Sequence, residues 1–163
     1  QDSKTAVKWF TLAAEQGHAS AQYNLGVMHQ KGRGVSQDYK AAVKWYTLAA
    51  DQGLAAAQHN LGSSYFIGQG VPQDYRAARN WYTLAAEQGD PAAQLNLGAI
   101  YANGQGVSQD NVRAHMWWTI AVSSGHQSAS GNLEIVEGKM ITSQIEKAQK
   151  LARECVAKNY KGC

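Results

Sequence analysis

Apolar and polar positions along this chain alternate with a helical period, and the whole pattern then starts again. After Asp38 the residues Ala42, Trp45, Tyr46 and Ala49 fall at i, i+3, i+4 and i+7, which places them on one face of an α-helix. Gly53 follows, a residue type that closes helices because it takes the left-handed conformation without steric cost. A second stripe, Ala93, Leu97, Ile100 and Tyr101, comes after Asp90-Pro91, an N-cap with proline at the first helical position. It ends at Gly104-Gln105-Gly106-Val107. The pattern predicts a helix A, a glycine turn, a helix B and a short loop back to the next Asp cap.

The period of this unit is 36 residues. Gln1-Asp2 returns as Gln37-Asp38, Gln73-Asp74 and Gln109-Asp110. Trp9 returns as Trp45, Trp81 and Trp117, and Asn24 as Asn60, Asn96 and Asn132. The boundaries read as repeats 1–36, 37–72 and 73–108, a degenerate repeat 109–138, and a closing segment 139–163. A single hairpin cannot bury its apolar face, whereas stacked hairpins shield one another, so the expected fold is an all-α, right-handed α-solenoid with a C-terminal capping helix. In that helix Ser143 and Glu146 have the spacing of a capping box. Alanine pervades both helices, letting them approach closely while the Trp at each unit fills the space between them.

The segments Ala-Ala-Asp-Gln-Gly (Ala49 to Gly53), Ala-Gln-His-Asn-Leu-Gly (Ala57 to Gly62) and Gly-Gln-Gly-Val (Gly68 to Val71) resemble the Sel1-like repeat, a relative of the tetratricopeptide repeat. The likeness covers about residues 1–133 and weakens in the fourth unit, where Glu134 stands at the place of Gly26, Gly62 and Gly98. It implies a non-catalytic scaffold or adaptor that binds another protein, in bacterial host-interaction and envelope systems among others. Some cysteine-rich relatives have been called β-lactamases. They carry a cysteine pair in each hairpin, which no unit here has, so that hydrolase reading is the alternative rather than the expectation, and no catalytic residue is assigned.

The face of helix A opposite the Trp stripe is the expected partner-binding groove. It comprises Lys4, Lys8 and Thr11; Lys40, Lys44 and Thr47; Arg76, Asn80 and Thr83; and Met116 and Thr119. This face is basic over three repeats and apolar at the fourth, which suits a partner segment with acidic character. The Asn24, Asn60, Asn96 and Asn132 series reads as a hydrogen-bond ladder between neighbouring repeats, with Gln22, Gln58 and Gln94 a weaker version of the same idea.

Charge and composition narrow the rest. Residues 1–138 hold nine Lys/Arg against ten Asp/Glu, and 139–163 hold six against two, so the net +3 lies at one end. No basic stripe for nucleic acid results. No stretch reaches the length and apolarity of a membrane span. The Gly-Xaa-Gly segments lack the third glycine and the βαβ setting of a dinucleotide site and read as turns. The five histidines have no metal-ligand spacing, and no cofactor or metal is expected. Cys155 and Cys163 can form a bridge that pins the tail, which would need an oxidising compartment and favours a periplasmic or secreted protein. Trp9 and Phe10, on the first helix, leave self-association open as a third reading.

Overall fold

The computed structural model describes residues 3–163; Gln1 and Asp2, the first copy of the Gln-Asp pair, lie outside them. The described residues form nine α-helices and no strand. They are α1 (Ser3–Glu15), α2 (Ala19–Lys31), α3 (Tyr39–Asp51), α4 (Ala55–Ile67), α5 (Tyr75–Ala86), α6 (Pro91–Asn103), α7 (Asn111–Ser123), α8 (Ala129–Glu137) and α9 (Thr142–Ala157). The chain divides into two compact units, residues 1–78 and 79–163.

Local chemistry sets the helix starts. Asp38 Oδ1 accepts from the Ala41 amide at 3.0 Å, Asp74 from Ala77 at 3.0 Å, Asp90 from Ala93 at 2.7 Å and Asp110 from Arg113 at 3.0 Å. Each replaces a partner that the first turn of a helix lacks. The Gln preceding three of these caps has its own task. Gln37, Gln73 and Gln109 each donate a side-chain hydrogen bond of 2.8 Å to a carbonyl at the end of the preceding helix B, those of Gln30, Phe66 and Ala102. The Gln-Asp pair therefore ties off one helix and opens the next. Gly70 shows why the intervening turns need glycine: its φ is 80°, and a Cβ there would strike the Tyr39 carbonyl.

In the first unit, α1 packs on α2, α2 on α3 and α3 on α4. Ala14, Ala21 and Leu25 are buried together, with Val7, Phe10 and Trp45 against them. The tryptophans do not play the uniform part expected of them. Trp9 is 68% exposed and Trp45 half-buried, while Tyr46, one residue further on, is 0% exposed. The ring of Tyr46 lies over Gly26 of the preceding helix B, so closely that a Cβ at Gly26 would come within 2.7 Å of it. The second unit repeats the arrangement, with the Trp118 indole seated on Gly98 and its Nε1 donating to the Leu95 carbonyl at 3.0 Å. Gly26 and Gly98 are thus notches for the aromatic at position 10 of the next repeat, one in each unit.

The ladder also differs from expectation. The asparagines are half-buried, and Asn60 hydrogen-bonds Tyr46 of its own repeat. The glutamines carry the buried series: Gln22, Gln58 and Gln94 donate to the carbonyls of Ala14, Ala50 and Ala86 at 3.1, 3.2 and 3.4 Å. Bonds between neighbouring repeats come from Gln52, which donates to Gln22 Oε1 at 2.7 Å, and from Tyr46, whose hydroxyl donates to Gln30 Oε1 at 2.8 Å. Burial pushes the Tyr46 hydroxyl up to about 12, against the opposing effect of the Asn60 bond, so it remains a neutral donor at physiological pH.

Repeat 4 breaks this series. Ser124 stands where Gln52 stands in repeat 2, and Gln94 Oε1 is buried without a partner among the described residues. Ser124 borders an open cavity of about 380 Å³ that has room for a longer side chain. Ser124→Gln should supply the missing donor and raise unfolding free energy by about 1 kcal/mol in urea titrations, with Ser124→Ala neutral. Equal stability of the Gln and Ala variants would refute the ladder.

In the second unit α6, α8 and α9 all pack on α7. Helix α9 starts earlier than the Ser143–Glu146 box implies. Its N-cap is Ile141, whose amide is accepted by Gln144 Oε1 at 3.1 Å, because the chain turns out of extended conformation one residue before Thr142. Cys155 and Cys163 are bonded, with Cα atoms 5.6 Å apart. The bridged tail passes through Asn159 and Tyr160 at φ 50° and 65°. It then reaches the turn between α5 and α6, where the Tyr160 ring lies against Gly89 and the Gly162 amide donates to Glu87 Oε1 at 3.0 Å.

Candidate functional site

Helix A of each repeat presents the positions singled out from the sequence. In the first unit Lys4, Lys8, Lys40, Lys44 and Arg76 are exposed, and Thr11 and Thr47 are half-buried. The threonine hydroxyls donate to their own helix, Thr11 to the Val7 carbonyl at 2.8 Å and Thr47 to that of Val43 at 2.9 Å. Among the described residues Lys8, Lys40, Lys44 and Arg76 have no acidic partner, so this face is cationic and solvated.

In the second unit the same face opens into two cavities. The first, about 530 Å³, is lined by Arg79, Asn80, Thr83, Leu84, Glu87, Tyr101 and Arg113. Arg79 Nη2 reaches Asn80 Oδ1 at 3.5 Å. The Arg113 guanidinium stands 5.4 Å from the centre of the Tyr101 ring and 3.7 Å from Asp110. Glu87 already accepts from Gly162, which leaves the arginine fork as the group suited to a carboxylate.

The second cavity, about 700 Å³, lies among α7, α8 and α9, with Ile120, Leu133, Ala152 and Val156 in its walls. His115, only 2% exposed, sits at its base. One ring nitrogen is 2.7 Å from Glu137 Oε1 and the other 3.2 Å from Thr119 Oγ1. Thr119 thereby departs from Thr11, Thr47 and Thr83, whose hydroxyls bond the carbonyl one turn back.

The structure brings Asn80 and Thr83 to the first cavity and Thr119 to the second, but not Met116 to either. Met116 is 3% exposed, buried on the helix that α8 and α9 cover, and offers no surface to a partner. Sequence reasoning missed His115, Glu137, Arg113 and Arg153. The signal available for His115 was that its place in the repeat is not held constant, reading Val7, Val43, Arg79 and His115 in turn. No group of three or more His, Cys, Asp or Glu side chains suited to a metal occurs among the described residues, and no described helix is long and apolar enough to cross a membrane.

The Sel1 repeat family model matches residues 1–18, 19–54, 55–90 and 91–126, most of the chain. The chain belongs to the Sel1 repeat family. Two solved structures of Sel1 repeat type resemble it over 94% of its length. One is c5321, described as a protective antigen present in uropathogenic Escherichia coli strains and displaying an SLR fold, at 36% identity and a TM-score of 0.86. The other is a Sel1 repeat protein from Oxalobacter formigenes, at 35% identity and a TM-score of 0.79. This Sel1 repeat chain spans 34% of the first structure's length and 64% of the second's. No curated protein matches it. After the half-length first span over α1, the matched spans begin at helix B, whereas the repeat read from the sequence begins at helix A; both follow the same 36-residue period.

Proposed function

We propose that this Sel1 repeat chain is a protein-binding scaffold whose helix A faces receive acidic segments of a partner. The supporting observation is the row of exposed cations at matching positions of successive repeats, Lys8 and Lys44, and Lys40 and Arg76, without acidic partners in the first unit. Like-charged side chains set side by side on a rigid helical frame raise the local concentration of an acidic segment and orient it. The arginine-lined cavity of the second unit offers the same chemistry with a more defined shape. The hydrolase activity ascribed to cysteine-rich relatives finds no matching feature, since both cysteines lie in the one bridge beyond the hairpins.

Selection from a display library of random peptides tests the reading. Enriched sequences should be rich in Asp and Glu. The variant Lys8→Glu, Lys44→Glu, Arg76→Glu should bind them at least 10-fold more weakly, roughly what replacing three exposed attractions by repulsions amounts to, with unchanged helicity. Enrichment without acidic bias, or equal binding by the variant, would contradict it.

A further inference from the structure

We infer that the cavity among α7, α8 and α9 receives the C-terminal residue of a partner chain, its apolar side chain inside and its terminal carboxylate on Arg153. The inference rests on the scaffold reading, which it narrows to one site and one chemistry.

The volume, about 700 Å³, falls in the range of ligand-holding clefts, and the walls are mostly aliphatic. The polar groups at the base are already engaged with one another. His115 is held between Glu137 and Thr119, and Ser123 Oγ donates to the Ile120 carbonyl at 2.8 Å. The His115 ring and the Thr119 hydroxyl can therefore be covered by an apolar group without losing these hydrogen bonds.

The α9 wall is different. Arg153 and Gln149 line the cavity, and neither has a hydrogen-bonding or ionic partner among the described residues. Residues 139–163, which include the α9 wall, carry six cationic side chains against two anionic ones, and Arg153 is the one of these cations that lines the cavity. Glu137 would repel a carboxylate, but it faces from α8 and is paired with His115, which restricts the ligand's carboxylate to the α9 side. One guanidinium beside one amide matches a single carboxylate rather than a run of acidic residues. Val156, 44% exposed at the rim, supplies apolar contact for the residue that follows the anchor into the cleft.

The test uses the full chain and fluorescein-labelled hexapeptides ending in Leu, Ile or Phe, each as the free acid and as the C-terminal amide, with dodecanoate as competitor. The free acids should bind, with at least 10-fold weaker binding by the amides. Arg153→Gln should reduce acid binding to the amide level and leave the amides unchanged. Val156→Asp, at the exposed rim, should weaken both forms. Lys8→Glu, Lys44→Glu, Arg76→Glu should leave these peptides unaffected, so loss of acidic library binding in that variant bears on the scaffold reading alone. Absence of binding by every peptide, equal binding of acids and amides, or binding of dodecanoate with none by the peptides would overturn the inference.

Discussion

Gly98→Ala should destabilise the second unit by roughly 3 kcal/mol, although alanine is the better helix former by about 1 kcal/mol. A Cβ at residue 98 would fall inside the contact distance of three indole atoms of Trp118. The ring is held where it is. Its Nε1 is bonded to the Leu95 carbonyl, and Ala114, Ala121, Ala129 and Val136 are buried around it. Moving it would leave a cavity and an unpaired indole N–H. Gly131→Ala on α8 is the matched control, because nothing lies within 4 Å of the position a Cβ would take. There the propensity gain should appear undiminished, about 0.5–1 kcal/mol of added stability. Denaturation curves for both variants measure this directly. Trp118→Leu should make Gly98→Ala less costly, since the two residues share one space and their effects cannot be additive. Equal stability of Gly98→Ala and the parent would show that the aromatic-on-glycine contact does not set the spacing of the repeats.

Loss of the Cys155–Cys163 bridge should lower stability by about 2–3 kcal/mol, the loop-closure value for so short a span. The tail it holds makes few contacts of its own: the Tyr160 ring against Gly89 and the Gly162 amide on Glu87. Asn159 and Tyr160 are also in left-handed conformations that non-glycine residues adopt at a cost. Without the covalent tie those contacts have to offset both that cost and the freedom of the released segment. Urea denaturation of the parent with and without reductant should show the difference. Cys163→Ser should match the reduced parent, and hydrogen exchange should show the Gly162 amide exposed in both. If reduction left stability and Gly162 protection unchanged, the tail would be held by its contacts alone.

These two cases mark how far the sequence could be read. Asp38, Asp74, Asp90 and Asp110 were legible as caps because capping is settled within three residues of chain. The 36-residue period and the glycine turns were legible for the same reason, each being a local feature repeated. The choice between neighbouring aromatics was not. Trp45 and Tyr46 both belong to the apolar stripe, and only the Gly26 notch of another helix decides that Tyr46 is the one enclosed. Glutamine and asparagine were equally ambiguous. Gln22 reaches the Ala14 carbonyl because its place on α2 is buried against the end of α1, a matter of how two helices sit together that composition does not state. The His115–Glu137 pair had no repeat to announce it, since each residue occurs once at its position and 22 residues separate them. Arg153 gains its meaning only from the cavity beside it.

The packing code and the proposed binding face meet on α3: Tyr46, at position 10, turns toward the preceding repeat, while Lys40 and Lys44, at positions 4 and 8 of the same helix, are exposed. The most direct test is backbone and side-chain NMR of the protein titrated with an acidic peptide selected from the display library. Shifts should concentrate at Lys8, Thr11, Lys44, Thr47 and Arg76 and spare α2 and α4. Shifts centred on α2 or α4, with the lysines unmoved, would contradict the account.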